Sequence, residues 1–334
     1  MEARRDAGLA GTLAFTYRDP AVASDVRRSL PWAERLVTVA YAYQPQAGTA
    51  AVESAALRIA RFADGDAYVG LRAALDAVAS QLTESGHRTA VLADDSRLVD
   101  RAAAVRAGVG WWGKSSMVLV PGAGPWVLLG SVATDASLEL DTPMDRSCGS
   151  CIACIPACPT SAIVADGIID VKRCLAHLLQ APGVIPIELR SAVGDRLYGC
   201  DDCLSACPPG QRVLADASDV PGPLIMKILG ATNYDLLETY GHFYLPSRRP
   251  RILRRNALVA AGNDRSARLE PIIIGHLGHP DWLLRAHAAW AVGEFDTEIS
   301  RAALEFALDD EHDGRVRSEI VEAMERRHAD PGLR

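Results

Sequence analysis

All eight cysteines of this 334-residue chain fall between Cys148 and Cys207. The first run, Cys148-Gly-Ser-Cys151-Ile-Ala-Cys154-Ile-Pro-Ala-Cys158-Pro159, has the spacing C-x2-C-x2-C-x3-C-P. Cys174 follows, and then Cys200-Asp-Asp-Cys203-Leu-Ser-Ala-Cys207-Pro208. Three cysteines two residues apart wrap one iron–sulfur cubane in a single tight loop, and the fourth, set before proline, ligates the other cluster. Applied here, that crossover assigns Cys148, Cys151, Cys154 and Cys207 to cluster I. Cluster II takes Cys158, Cys174, Cys200 and Cys203, and no cysteine is left over. Disulfides would need an oxidising compartment. Structural zinc also uses four cysteines but pairs separated knuckles, whereas this triple spacing is what two 4Fe–4S clusters require. Asp201 and Asp202 sit between two cluster II ligands, and their negative charge disfavours an added electron, so cluster II is expected at the lower potential.

The rest of the composition narrows the partners. A net charge of −7 is unlike that of a protein that coats nucleic acid at large, so a polyanion would have to meet a local basic patch. Arg248, Arg249, Arg251, Arg254 and Arg255 crowd one short stretch around Pro250. Two readings stand for them: a patch that faces a polyanion, or the solvated start of a helix. No apolar run is long enough to span a membrane, and Met1-Glu-Ala-Arg-Arg-Asp6 does not open a signal peptide, so a cytoplasmic protein without a membrane partner is expected.

Three segments follow along the chain: residues 1–140 as an α/β domain, 141–213 as a ferredoxin-like two-cluster domain, and 214–334 as all-α HEAT-like repeats. In the first, Arg35–Tyr43 reads as a buried strand closed by Gln44-Pro45. Leu71, Leu75, Val78 and Leu82 recur at helical spacing up to Gly86. Thr89–Ala93 reads as a strand and Arg97–Ala107 as a helix. Ser116–Val120 and Trp126–Ala133 read as strands about the turn Pro121-Gly-Ala-Gly-Pro125. In the last segment Leu253–Gly262 resembles Leu284–Gly293, 31 positions on, with a weaker echo at Val316–Ala323. Self-similarity at that period predicts stacked helix pairs, each needing a neighbour to bury its apolar face. They serve either as a binding surface or as a cap on the cluster domain.

Gly108-Val-Gly-Trp-Trp-Gly-Lys-Ser115 satisfies G-x4-G-K-S, the phosphate-loop pattern. That loop works only between a strand and the N-terminus of a following helix. Here a helix is expected before it and a strand after it, so nucleotide binding is not expected.

Taken together, several stretches between Leu30 and Gly293 resemble the epoxyqueuosine reductase family of cobalamin-dependent tRNA-modifying enzymes. They are Ala60-Arg-Phe-Ala-Asp-Gly65, Asp94 through Asp100-Arg-Ala-Ala, Gly108–Lys114, Gly130 with Asp135, Arg196–Cys203, and Arg255-Asn-Ala-Leu258. The resemblance implies an N-terminal cobalamin-binding domain ahead of the clusters and the HEAT-like helices. It implies reductive removal of the epoxide oxygen from epoxyqueuosine at the tRNA wobble position. An external one-electron donor would feed the clusters, and the protein would act as a monomer. Asp94 matches the family's acid; without the resemblance, its place at a strand end before Ser96 would read as a helix cap. Burial and the neighbouring Asp95 charge are expected to raise its pKa. Arg61 and Lys114 are cofactor or substrate contacts on this reading and ordinary surface charges on the other. No D-x-H-x-x-G occurs, in keeping with a family that leaves the lower cobalt face without a protein histidine. The chain departs from the family at Ala67-Tyr68-Val69, where Asp-Tyr-His is common. That departure opens a second reading, a related cobalamin reductase with a small-molecule substrate. A non-catalytic ferredoxin-like electron carrier is the third.

Overall fold

The structure, a computed structural model, describes residues 1–43, 55–214 and 222–329. Gln44 and Pro45, expected to close the first strand, lie outside the described residues. Among the described residues no helix is long and apolar enough to cross a membrane. Contacts gather them into two compact units, neither of them continuous in the chain. One unit holds residues 1–43, 61–177 and 201–214; the other holds 55–60, 178–200 and 222–329.

The first unit is built on a three-stranded antiparallel sheet of β1 (Arg35–Ala42), β2 (Thr89–Ala93) and β3 (Val127–Thr134), with β3 in the centre. Because successive side chains point to opposite faces, a sheet covered on both sides needs apolar residues at nearly every central position. In β3, Ser131, Val132, Ala133 and Thr134 are fully buried, and the two polar side chains are hydrogen-bonded, Ser131 to Thr38 across the strands at 3.1 Å and Thr134 to the Ala136 N–H at 3.1 Å. On one face α1 (Ala67–Glu84) inserts Leu71 and Leu75 among Val37, Val39, Val91, Leu128 and Val132. Each such leucine contributes about 1.5–3 kcal/mol by leaving water. Gly130 is required there, since a Cβ would stand 2.6 Å from Leu75 Cδ1. On the other face Ala33, Leu92, Leu98 and Ala133 form a second core, and α2 (Asp100–Arg106) brings Ala103 against it.

The helix expected from Arg97 begins three residues later. Asp95 accepts the Arg97 N–H on its carboxylate and the Leu98 N–H on its carbonyl, while the Val99 N–H goes to Ala23. Those donors are committed elsewhere, so helical bonding starts at Asp100. The glycine-rich stretch after α2 forms a small antiparallel hairpin, Trp111–Trp112 against Val118–Leu119. The order is helix, then hairpin, without the helix N-terminus on which a phosphate loop depends.

In the second unit, α3 (Arg251–Asp264) packs on α4 (Trp282–Gly293) and α4 on α6 (Gly314–Ala329), with α5 (Glu298–Asp310) against both α4 and α6. The internal repeat has a packing reason. A Cβ on Gly262 would lie 3.0 Å from the Ala291 Cα, and one on Gly293 would lie 2.8 Å from the Ala323 Cβ. Each repeat's final glycine lets the next helix close in. This unit also claims residues 178–200, which lie within the cysteine-rich segment in sequence. Asn256 donates to Leu179 O and Leu197 O, Asn263 to Arg190 O and Gly194 O, and the Ile185 N–H donates to His287 Nε2. Arg190 is buried and forms a bidentate pair with Glu319.

Candidate active site and cluster ligands

The chain leaves β2 at Ala93 and turns sharply, with Asp94 in the left-handed region at φ 53°. Aspartate tolerates that conformation better than most residues. The cap reading does not describe Asp94, because the carboxylate that closes the following turn belongs to Asp95, which also pairs with Arg97 at 2.6 Å. Asp94 is open to solvent, yet desolvation by the protein around it dominates its acidity and raises its pKa. Arg72 on α1 pulls the other way, and Asp95 adds a smaller upward push.

Arg101 has the same double character. Solvent reaches it, but surrounding protein weighs heavily on its charge; its Nη1 donates to Ser116 O at 3.3 Å. Asp94 and Arg101 both act electrostatically on Asp100, the first residue of α2. Trp126 belongs to the core beneath α1: it is fully buried, meets Tyr43 edge-on at 6.2 Å, carries Arg61 over its ring at 5.8 Å, and donates from Nε1 to Gly210 O at 3.0 Å.

The cysteines fall into groups. The Cys154 thiol feels Cys148, Cys207 and Cys151, and Cys207 feels Cys148 and Cys151. Cys174 feels Cys158, and Arg101 faces both Cys174 and Cys203. Cys200 ends the 178–200 segment of the second unit, three positions before Cys203. Burial pushes the Cys154, Cys174 and Cys207 thiols up, so iron would have to displace their protons on binding. Among the described residues no three His, Cys, Asp or Glu side chains converge on a single metal ion. A cubane does not ask for that, since its thiolates sit on separate irons. Local bonds shape the loops: Cys151 N–H donates to Cys148 O at 3.0 Å, and Ala162 N–H to Cys158 Sγ at 3.2 Å.

Residues 147–210 match the family model of a 4Fe-4S double cluster binding domain, and residues 245–325 match that of HEAT repeats. The epoxyqueuosine reductase of Bacillus subtilis is 33% identical over 312 residues, covering 89% of this chain and 80% of that protein. That of Bacillus cereus is 32% identical over 310 residues, 89% and 82% of the two chains. This chain belongs to the epoxyqueuosine reductase family. A crystal structure of an epoxyqueuosine reductase with an epoxyqueuosine-modified tRNA-Tyr stem loop superposes with a TM-score of 0.88 at 30% identity, covering 98% of this chain and 92% of that one. A Bacillus subtilis reductase with its aspartate-bearing catalytic loop swung out of the active site superposes at 0.86 and 29% identity, covering 97% and 91%. The expected architecture, a mixed α/β N-terminal region with a double-cluster domain and HEAT-like helices, is therefore the family's own.

Other residues singled out in the sequence land in different settings. Lys114 is mostly covered and pairs with Asp166 at 3.3 Å, and its carbonyl accepts the Gly167 N–H. The arginine stretch divides. Arg248 and Arg249 are exposed, and Arg251 pairs with Asp281 at 3.2 Å. Arg254 and Arg255 are buried, which corrects the reading that placed them on a tRNA-facing surface. Arg254 donates to Asn233 Oδ1 and Ala231 O; Arg255 donates to Leu178 O, Ala181 O, Gly183 O and Asn256 Oδ1. The helical period that makes α3 turns both of them inward. Asp201, expected to set the charge at cluster II, accepts the Arg61 N–H at 2.7 Å. Arg101 supplies an opposing positive charge that spacing alone does not show.

Sequence reasoning also passed over Asp100. Its Oδ1 is buried without a hydrogen-bond partner. The only signal was its place in the Asp94–Ala103 stretch shared with the family.

Proposed function

We propose that this chain reduces the epoxide of epoxyqueuosine at the tRNA wobble position to the alkene of queuosine. It acts as a cytoplasmic monomer, using cobalamin and two 4Fe–4S clusters charged by an external one-electron donor. The division of labour follows the sequence: residues 1–140 hold the corrinoid, 141–213 the clusters, and 214–334 form the helical platform. The observation that carries the reading is Asp94, a reachable carboxyl with a raised pKa at the end of β2.

Epoxide opening leaves an oxygen that must gain protons, and a carboxyl whose pKa is raised suits that task. Burial is the leading cause of the shift at Asp94, so the acid is prepared before substrate arrives. Arg61 and Arg101 would contact the corrinoid. Bound cobalamin would supply a strongly reducing cobalt centre, chemistry that no side chain offers. Cys148, Cys151, Cys154 and Cys207 would ligate cluster I, and Cys158, Cys174, Cys200 and Cys203 cluster II, giving a one-electron relay. Exposed Arg248 and Arg249 would meet tRNA phosphates, whose binding is largely electrostatic.

A second reading keeps the chemistry and changes the substrate. Ala67 opens α1, and Val69, two residues on, is 64% exposed, so an apolar side chain faces solvent where the family commonly has histidine. One experiment separates the readings. The chain is reconstituted anaerobically with iron, sulfide and cobalamin, then reduced in the presence of epoxyqueuosine-containing tRNA. Queuosine in the wild type and none in Asp94→Asn, with corrinoid still bound, supports the proposal. Corrinoid binding without tRNA turnover favours the small-molecule substrate, and failure to bind corrinoid leaves an electron carrier.

A further inference from the structure

Between the helix Asn233–Tyr240 and α3 the chain makes a turn whose side chains alternate. Phe243 and Leu245 are buried, while His242 and Tyr244 face out, Tyr244 with 67% of its surface exposed. The alternation is held from beneath. Phe243 stacks on Tyr198 with ring centroids 4.1 Å apart and planes at 21°, and Tyr240 leans on Phe243 at 5.1 Å. Tyr198, itself buried, accepts the Tyr244 N–H on its hydroxyl at 2.9 Å. Tyr244 therefore has its backbone tied down and a buried neighbour on each side, so a fixed main chain presents its ring to solvent.

A single exposed apolar residue is ordinary. What sets this one apart is its company. Just after Tyr244 the chain doubles back: the Arg248 N–H donates to Leu245 O at 2.8 Å and the Arg249 N–H to Pro246 O at 3.2 Å. Ser247 and Arg248 take the left-handed conformation, at φ 56° and 51°, which two successive residues with side chains rarely adopt. That bend carries Arg248 back to the start of the turn, where a Cβ on Gly241 would stand 3.7 Å from Arg248 Nη2. Arg248 and Arg249 are both exposed. One turn thus offers an anchored aromatic face and two cations. An aromatic ring accepts the face of an unpaired base, and cations beside it meet the phosphates of the same strand. In a duplex the bases are stacked on one another, so only the cations would find a partner.

We infer that this turn grips an unpaired nucleotide of the tRNA anticodon loop, its base stacked on Tyr244 and its flanking phosphates met by Arg248 and Arg249. The inference rests on the tRNA reading given above and adds to it a contact that tells loop from stem.

The test uses the full chain and a fluorescently labelled anticodon stem loop, with a blunt RNA duplex of equal charge for comparison. Tyr244→Ala should weaken stem-loop binding about 5- to 150-fold, the usual loss when one stacked base loses its ring, while duplex binding stays within about twofold. Tyr244→Phe should bind like the wild type, because the ring and not the hydroxyl makes the contact. The slope of log affinity against log salt should be unchanged in Tyr244→Ala, which removes no cation, and flatter in Arg248→Glu with Arg249→Glu. Three results overturn the inference: stem-loop affinity unmoved in Tyr244→Ala, an equal loss on loop and duplex, or a loss in Tyr244→Phe as large as in Tyr244→Ala. The first would leave the tyrosine to a protein partner. If Tyr244→Ala does not fold, Tyr244→Leu, apolar but without a π face, is read in its place. Tyr244-dependent loop binding by a chain that makes no queuosine defeats the reductase reading and leaves the grip standing. Queuosine made by a chain whose Tyr244→Ala form binds as tightly as the wild type defeats the grip alone.

Discussion

Replacing Arg255 by alanine should unfold the protein more readily without touching any surface that tRNA could reach. The side chain is 1% exposed and sends five donations inward. Its Nη1 reaches Ala181 O and Gly183 O, both at 2.7 Å, and Nη2 reaches Leu178 O and Asn256 Oδ1, both at 2.8 Å; Nε reaches Asn256 Oδ1 at 3.0 Å. Burial, with the like charges of Arg251 and Arg190, lowers its pKa to about 9, so it remains a cation at neutral pH. Truncation strands three carbonyls, each costing about 1–3 kcal/mol when buried and unsatisfied. Relief of the buried charge and water entry offset part of that, leaving a net loss of about 3–5 kcal/mol. Against a total of about 5–15 kcal/mol, that is a large fraction. Arg255→Lys should recover little, because one ammonium cannot span a fork of acceptors. Denaturant unfolding of the cluster-loaded protein, followed anaerobically by far-ultraviolet circular dichroism, measures the midpoint. An unchanged midpoint together with a fall in tRNA affinity would refute the reasoning and return Arg255 to the surface.

Three further outcomes are expected. Arg248→Glu with Arg249→Glu should weaken tRNA binding and flatten its salt dependence by about one to two phosphate contacts, while stability stays within about 0.5 kcal/mol; binding titrations at several salt concentrations check this. Cys207→Ser should lower bound iron from about eight to about four per chain by removing cluster I and sparing cluster II, read by iron analysis and electron paramagnetic resonance. Arg101→Gln should lower the potential of cluster II, since a positive charge facing Cys174 and Cys203 favours an added electron; redox titration checks this.

Much of the fold was legible because its signals are local. Thr89–Ala93 is the strand its apolar, β-branched run implies, and α1 ends at Glu84, just before Gly86, as its leucine spacing requires. The arginine stretch shows where such reading stops. Five arginines in eight positions look alike in sequence, yet α3 sends Arg254 and Arg255 inward while Arg248 and Arg249 stay in water. The start of α2 was misplaced for a related reason: the Val99 N–H is claimed by Ala23, seventy-six positions away.

Cysteine spacing alone was enough to specify a double-cluster protein, because ligands a few bonds apart can reach one cubane whatever the rest of the chain does. The 31-residue echo likewise announced stacked helices, since each must bury its stripe on a near copy of itself. Which unit holds residues 178–200, which arginines carry load and which meet solvent, and that one Asp100 oxygen lies buried without a partner were decided only by tertiary structure. Desolvation is the reason: the character of a charged group depends on what surrounds it in space, and neighbours brought together by folding leave no mark on spacing.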